Sequence, residues 1–152
     1  MSLMVRPARV EDAAPFAAQL RAEDFAEFQV AGDPAEVLAA GIKDAWRCYL
    51  GYDESGPVCV FGVQRTGSLL DGVGYLWCGT TPRVLRHKRR FLLGSRAWVA
   101  SARLEFDMLT GWCAMEYAVS VRWLTRWLGF TLGERTVIGG VPFVNFHWWR
   151  ET

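Results

Sequence analysis

Cysteine and histidine are scarce in this chain and nowhere grouped. The four cysteines, Cys48, Cys59, Cys78 and Cys113, contain no C-x-x-C pair, and the two histidines, His87 and His147, stand far apart. That leaves no ligand set for a zinc site. The cysteines read instead as buried reduced thiols, which points to a cytoplasmic or other reducing setting. No run reaches about eighteen uncharged apolar residues, so no spanning helix and no membrane partner are expected. No secretory segment opens the chain either, because Arg6, Pro7 and Glu11 interrupt its first residues. Neither sign of charge dominates. Lys plus Arg number 17 against 16 Asp plus Glu, a net +1, which excludes a strongly basic nucleic-acid module and an acidic tail for the whole chain.

Apolar and aromatic residues are abundant. The 152 residues are 51% hydrophobic, with 9 Phe, 8 Trp and 4 Tyr. This suits one ordinary domain, residues 1–152, around one substantial core.

Periodicity and punctuation give the order of elements. Leu3 to Arg6 reads as a strand stopped by Pro7. Asp12 to Arg21 reads as a helix burying Ala13, Phe16, Ala17 and Leu20, provided Pro15 sits in its first turn. Ala22 to Gly32 is open between helix and structured loop. In Asp33-Pro34-Ala35-Glu36, Asp33 is a cap, Pro34 suits the first helical position, and a helix follows to Asp44. Strands follow at Trp46 to Tyr52, Pro57 to Arg65 and Gly74 to Thr80, the first two joined by Asp53-Glu54-Ser55-Gly56. Arg83 to Phe106 is the longest helical pattern, with Leu85, Leu92, Val99 and Ala102 on its inner face. Gly111 to Tyr117 reads as a buried strand, and Val121 to Leu128 as a short helix capped by Ser120 and ended by Gly129. Phe130 to Val137 and Val141 to Trp149 form a terminal pair about Gly139-Gly140. The fold class is therefore α/β, a mixed central sheet flanked by helices in the order β-α-α-β-β-β-α-β-α-β-β. The strands near residues 75 and 113 are expected to be parallel neighbours.

This order resembles the GNAT superfamily of acetyl-CoA-dependent N-acetyltransferases over nearly the whole chain. Its most specific words are Ser120-Val121-Arg122-Trp123-Leu124-Thr125-Arg126-Trp127-Leu128-Gly129-Phe130, similar to the short helix that ends in Leu-Gly-Phe, and the opening Val5-Arg6-Pro7-Ala8. A closer resemblance is to small GNAT-like proteins of tailed phages and prophages, related to an internal virion protein of short-tailed coliphages. It is carried by Tyr75-Leu76-Trp77-Cys78-Gly79-Thr80, Phe91 to Val99 and the Trp-rich segment.

If the chain is an enzyme, the resemblance implies acetyl-CoA as cofactor and an amine as acceptor. It points to Cys78, Gly79 and Thr80 on the fourth strand, with Arg83, Arg86 and Lys88 after it, as the cofactor-binding residues. Glu116 is then the candidate base and Tyr117 the candidate acid. The family's phosphate loop carries glycines, so that main-chain N–H groups at a helix start can wrap a diphosphate. Here Thr81-Pro82-Arg83-Val84-Leu85-Arg86-His87-Lys88-Arg89-Arg90 contains none, and Pro82 removes a donor. The tyrosine usual in the short helix falls at Thr125, and the frequent asparagine before it at Ala118.

These departures imply a structural or interaction role, in a virion or during assembly; acetyl transfer to an amine is the alternative. The basic run over residues 86–90 reads as a solvated helix face, a phosphate contact or a nucleic-acid contact, with His87 at the surface. Cys78 and Cys113 read as packing residues. Trp123 and Trp127, four apart, share a helix face, and Trp148 and Trp149 point to opposite faces of a strand. One of the latter pair is left for a partner phage protein or for self-association through an aromatic surface.

Overall fold

The computed structural model describes residues 2–68 and 70–151. The strands are β1 (Met4–Pro7), β2 (Arg47–Asp53), β3 (Gly56–Thr66), β4 (Val73–Thr80), β5 (Met108–Ala114), β6 (Thr131–Ile138) and β7 (Val141–Trp149). The helices are α1 (Ala13–Ala17), α2 (Ala22–Gln29), α3 (Pro34–Asp44), α4 (Lys88–Glu105) and α5 (Ala118–Arg122). The sheet runs β1-β2-β3-β4-β5-β7-β6. β4 and β5 are parallel, as the crossover through α4 requires, and β6 with β7 is antiparallel.

The chain divides into two compact units. The first holds the residues up to Gln64 together with Trp77–Phe91. There Phe16, Leu38, Ile42, Leu50 and Val60 form one apolar cluster, joined by partly buried Leu20, Phe28 and Trp77. Val58, Cys59 and Val84 form a second, with Phe61 and Phe91 against it. β3 thus buries residues of both its faces, as an inner strand does. α3 starts as its sequence prescribes: Asp33 accepts a hydrogen bond from the Glu36 amide at 3.2 Å, and Pro34 takes the first turn. The β2–β3 hairpin closes where the Ser55 amide donates to Asp53 at 2.7 Å.

The second unit holds Arg65–Leu76 and the residues from Leu92 onward. Val99 and Ala102 of α4, Leu109 and Cys113 of β5, Val144 and Phe146 of β7, and Phe106, Leu124 and Phe130 are among its buried apolar residues. Trp123 and Trp127 do share a face. Their indoles donate to Ser95 Oγ at 3.2 Å and to the Leu92 carbonyl at 2.8 Å, and the Arg96 guanidinium lies 3.6 Å from the Trp127 ring centroid. Gly129, at φ +79°, follows as the left-handed terminal residue the sequence leads one to expect.

Several elements differ from the sequence expectation. The first helix is only Ala13–Ala17, because i→i+3 bonds from Gln19 to Phe16 and from Leu20 to Ala17 tighten and end it. The open segment after it contains a helix of its own, α2, so three helices precede β2. The long helical pattern splits into a 3-10 turn, Pro82–His87, and α4. That tighter turn changes the phase, which leaves Leu85 60% exposed rather than on the inner stripe. β5 ends at Ala114, where the Met115 amide turns to the Pro142 carbonyl. Glu116 and Tyr117 therefore lie beyond the strand. Ser120 sits inside α5 and does not cap it; Tyr117 precedes the helix, and Trp123–Trp127 continues it as a π-helical turn.

Two glycines on opposite sides of the packing requirement test this description. A Cβ at Gly111 would drive into the Phe146 ring and lie 2.8 Å from the Leu76 carbonyl oxygen, whereas one at Gly94 meets nothing within 4 Å. Gly111→Ala is expected to lower stability by about 1–3 kcal/mol through overpacking. Gly94→Ala, inside α4, is expected to raise it by up to about 1 kcal/mol. Urea unfolding of the two variants beside the wild type measures both.

Candidate functional site

The stretch from Thr80 to Val84 is the place where an anion-holding loop is expected, and its amides are directed at the protein itself. The Thr80 amide donates to Asp24 Oδ2 at 3.0 Å, and the Thr80 hydroxyl donates to the same oxygen. The Thr81 amide donates to the Val58 carbonyl at 2.9 Å. Pro82 has no N–H. The Arg83 amide donates to Thr81 Oγ1 at 3.3 Å, and the Val84 amide to the Thr81 carbonyl at 3.0 Å. On the acceptor side, the Arg21 amide donates to the Thr80 carbonyl at 2.9 Å, and the Thr81 hydroxyl donates to the Pro57 carbonyl at 2.7 Å. Thr81 is fully buried. A main-chain nest for an anion needs several N–H groups that converge and are unspent. This segment spends them on α2, on β3 and on Thr81 itself.

Asp24, on α2, anchors that arrangement. Burial pushes its carboxyl up, against the opposing pull of the Thr80 donors and the Arg21 guanidinium, whose Nε lies 3.3 Å away. A second buried carboxylate fixes the other end of the turn. Asp53, at the end of β2, meets His87 Nε2 at 2.8 Å, and both side chains are almost wholly buried. The imidazole hydrogen bond, reinforced by the Ser55 amide, holds the Asp53 carboxyl below its ordinary range. His87 is thus an interior residue and not the surface residue its basic neighbours suggest. The run of exposed cations reduces to Arg86, Lys88, Arg89 and Arg90.

The cofactor candidates read from sequence all fall in the first unit. Gly79 is buried, and a Cβ on it would lie 3.1 Å from Phe28 and 3.3 Å from Leu20, so its small size serves packing. Burial pushes the Cys78 thiol well above its ordinary range, and lifts those of Cys48 and Cys59 to about 12. These groups stay protonated thiols and make poor nucleophiles. Arg83 donates to Gln19 Oε1 at 2.6 Å, and Arg86 makes a long 3.5 Å contact with Ser55 Oγ. Lys88 is exposed at the start of α4. The catalytic candidates lie in the second unit: Glu116 exposed in a turn, and Tyr117 half-buried before α5.

The second unit also contains an array that sequence reading missed. Asn145 Nδ2 donates to Thr110 Oγ1 at 2.7 Å and to the Gly111 carbonyl at 3.0 Å, while its Oδ1 meets His147 Nδ1 at 3.2 Å. The register shift in β6 between Leu132 and Arg135 sits opposite Asn145. Among the described residues, no group of three or more His, Cys, Asp or Glu gathers as a metal site, and no helix is long and apolar enough to cross a membrane.

No family model and no curated protein matches the sequence. Solved structures do match the fold. A GNAT-family acetyltransferase from Streptococcus pneumoniae is similar at TM-score 0.68 and 14% identity, over 97% of this chain and 99% of that one. An N-acetyltransferase from Staphylococcus aureus Mu50 is similar at TM-score 0.72 and 10% identity, over 98% and 99%. A chimera of the Vibrio cholerae spermidine N-acetyltransferase SpeG with hSSAT is similar at TM-score 0.72 and 13% identity, over 98% and 96%. The fold is GNAT-like, a mixed seven-stranded sheet flanked by helices.

The Asp53–His87 pair makes stability depend on acid. A carboxyl held below its ordinary range contributes stability above its unfolded pKa and loses it as pH falls through the lowered folded value. The wild-type urea midpoint is therefore expected to drop below about pH 4, and Asp53→Asn to show a shallower drop. Parallel curves for the two proteins would contradict the assignment.

Proposed function

We propose that this GNAT-fold protein is a binding module whose donor site has been converted into a structural joint, and that it does not transfer an acyl group from coenzyme A. The observation that carries the reading is the set of main-chain bonds after β4. With Thr80, Thr81, Arg83 and Val84 donating to the protein and Pro82 unable to donate, a diphosphate finds no converging amides there. Coenzyme A does not fit this segment by the main-chain route that the sequence resemblance implies. Arg86, Lys88, Arg89 and Arg90 offer positive charge beside it, but point charges on flexible chains do not replace an oriented nest. Such an exposed cluster equally suits an acidic partner, protein or nucleic acid.

The kind of partner follows from the sequence resemblance to phage GNAT-like proteins: another virion or assembly protein. The abundance of tryptophan agrees with an interaction role, since indoles anchor interfaces out of proportion to their number. A second reading is acetyl-CoA-dependent transfer to an amine, with Glu116 and Tyr117 near the acceptor. The similarity to solved acetyltransferases favours it, at the level of fold.

Calorimetric titration of the folded protein with millimolar acetyl-CoA separates the two. No saturable heat is expected, together with no release of free thiol when a panel of primary amines and polyamines is added. Saturable binding with thiol release would establish the transferase reading and remove the proposed one.

A further inference from the structure

The outward side of α4 carries an exposed apolar seam at the spacing helices use to pair. Leu93, Ala97, Ala100 and Leu104 are all exposed, Leu93 at 50% and Leu104 at 78%. They stand four, three and four residues apart, which on an α-helix makes one continuous stripe. The helix has its core face elsewhere, in buried Val99 and Ala102, so the chain's own packing does not use this stripe. An ordinary surface helix sets polar and charged residues opposite its buried face.

The seam has a shape and two unlike edges. Ala97 and Ala100 leave its middle shallow between the two leucines, which lets a second helix approach closely and lay larger side chains there. From Leu93 to Leu104 it runs about 16 Å, or about three turns, the reach of helix-in-groove recognition. One edge is small and open: it holds Gly94 and Ser101, and a Cβ on Gly94 meets nothing within 4 Å. The other edge carries Arg96, exposed yet ordered. Its guanidinium lies 3.6 Å from the Trp127 ring centroid and donates to the Trp127 carbonyl at 3.1 Å. Arg122 and Arg126 are exposed beside it, each next in sequence to an indole that bonds to α4. The helix opens Lys88-Arg89-Arg90, and neither residues 72–104 nor residues 117–133 contain Asp or Glu. An arginine already stacked on an aromatic ring loses less freedom when it pairs with a carboxylate.

We propose that this face of α4 docks an acidic amphipathic helix of another protein, its large apolar residues over Ala97 and Ala100 and its carboxylates along the Arg96 edge. Charge complementarity selects that occupant. A second copy of the chain brings arginine and no carboxylate to the same edge. A nucleic acid pairs with the arginines but sets phosphate and sugar against Leu93 and Leu104, whose burial then gains nothing. The inference rests on the binding-module reading for the existence of a protein partner, and on none of the amides after β4. One helix over three turns is a small contact, so dissociation in the micromolar range is expected.

Fluorescence anisotropy tests the proposal with a labelled synthetic peptide of about three heptads, leucine at a and d and glutamate at e and g. Like charges at e and g keep such a peptide from pairing with itself. The wild type is expected to bind it with a dissociation constant of about 1 to 100 µM. The same peptide with lysine in place of glutamate is expected to bind at least about tenfold more weakly. Ala97→Glu, an exposed change in the middle of the seam, is expected to weaken binding at least about tenfold, and Ala100→Glu to do the same. Val137→Glu, which adds the same charge at an exposed position of β6, is expected to bind like the wild type. Four results would each overturn the proposal: no saturable binding up to about 1 mM protein, equal binding of the lysine peptide, Ala97→Glu and Ala100→Glu proteins that bind normally, or displacement of the peptide by an equal concentration of a DNA duplex of about 20 base pairs. A protein that binds neither peptide nor coenzyme A loses this inference and keeps the binding-module reading; one that turns over acetyl-CoA loses that reading whatever the peptide does.

Discussion

The amide groups that follow β4 are the constraint on which the other features turn. A helix start exposes N–H groups that must be satisfied by something: a cap, water or an anion. In this chain Thr81 caps the turn with its own hydroxyl, Val58 takes the Thr81 amide, and Asp24 takes the Thr80 amide and hydroxyl together. The segment is thereby a joint between α2, β3 and the 3-10 turn. The absence of glycine from residues 81–90 and the presence of Pro82 are compatible with that use, since each amide named has its acceptor within the protein.

Two buried carboxylates then become intelligible. A charged group in an apolar interior is costly unless it is bonded. Asp24 is bonded by Thr80 and Arg21, and Asp53 by His87 and Ser55. Each bond joins a part of the turn to a different element, Thr80 to α2 and His87 to the β2–β3 hairpin. Removing one partner leaves the other buried and uncompensated, which is costly even where the net contribution of the intact pair to stability is small.

Much of the architecture was legible in the sequence, and the residues show why. Asp33-Pro34 marked α3, Asp53 to Gly56 marked the hairpin, and the alternation in Val141 to Trp149 placed Trp148 and Trp149 on opposite faces, all through local chemistry. What escaped was non-local or depended on phase. Thr81-Pro82 opened a 3-10 turn instead of an α-helix, which moved Leu85 outward and His87 inward. The buried partner of His87 lies 34 positions away in sequence, where no spacing rule reaches, and its basic neighbours concealed its burial. Asp24 lay in a segment left open between helix and loop, so its bond to Thr80 could not be anticipated. The Asn145–His147 array needed the β5–β7 register before the two residues meant anything together. The missing glycines of the phosphate loop were readable from the start; the destination of its amides was not.

The most direct measurement of the central claim is an amide-resolved NMR titration with coenzyme A. If the amides of Thr80, Thr81, Arg83 and Val84 are committed to protein acceptors, their resonances stay in place and their slow hydrogen exchange is unchanged at saturating concentrations of the nucleotide. Progressive, saturable displacement of those four resonances, with an accompanying change in their exchange protection, would contradict it.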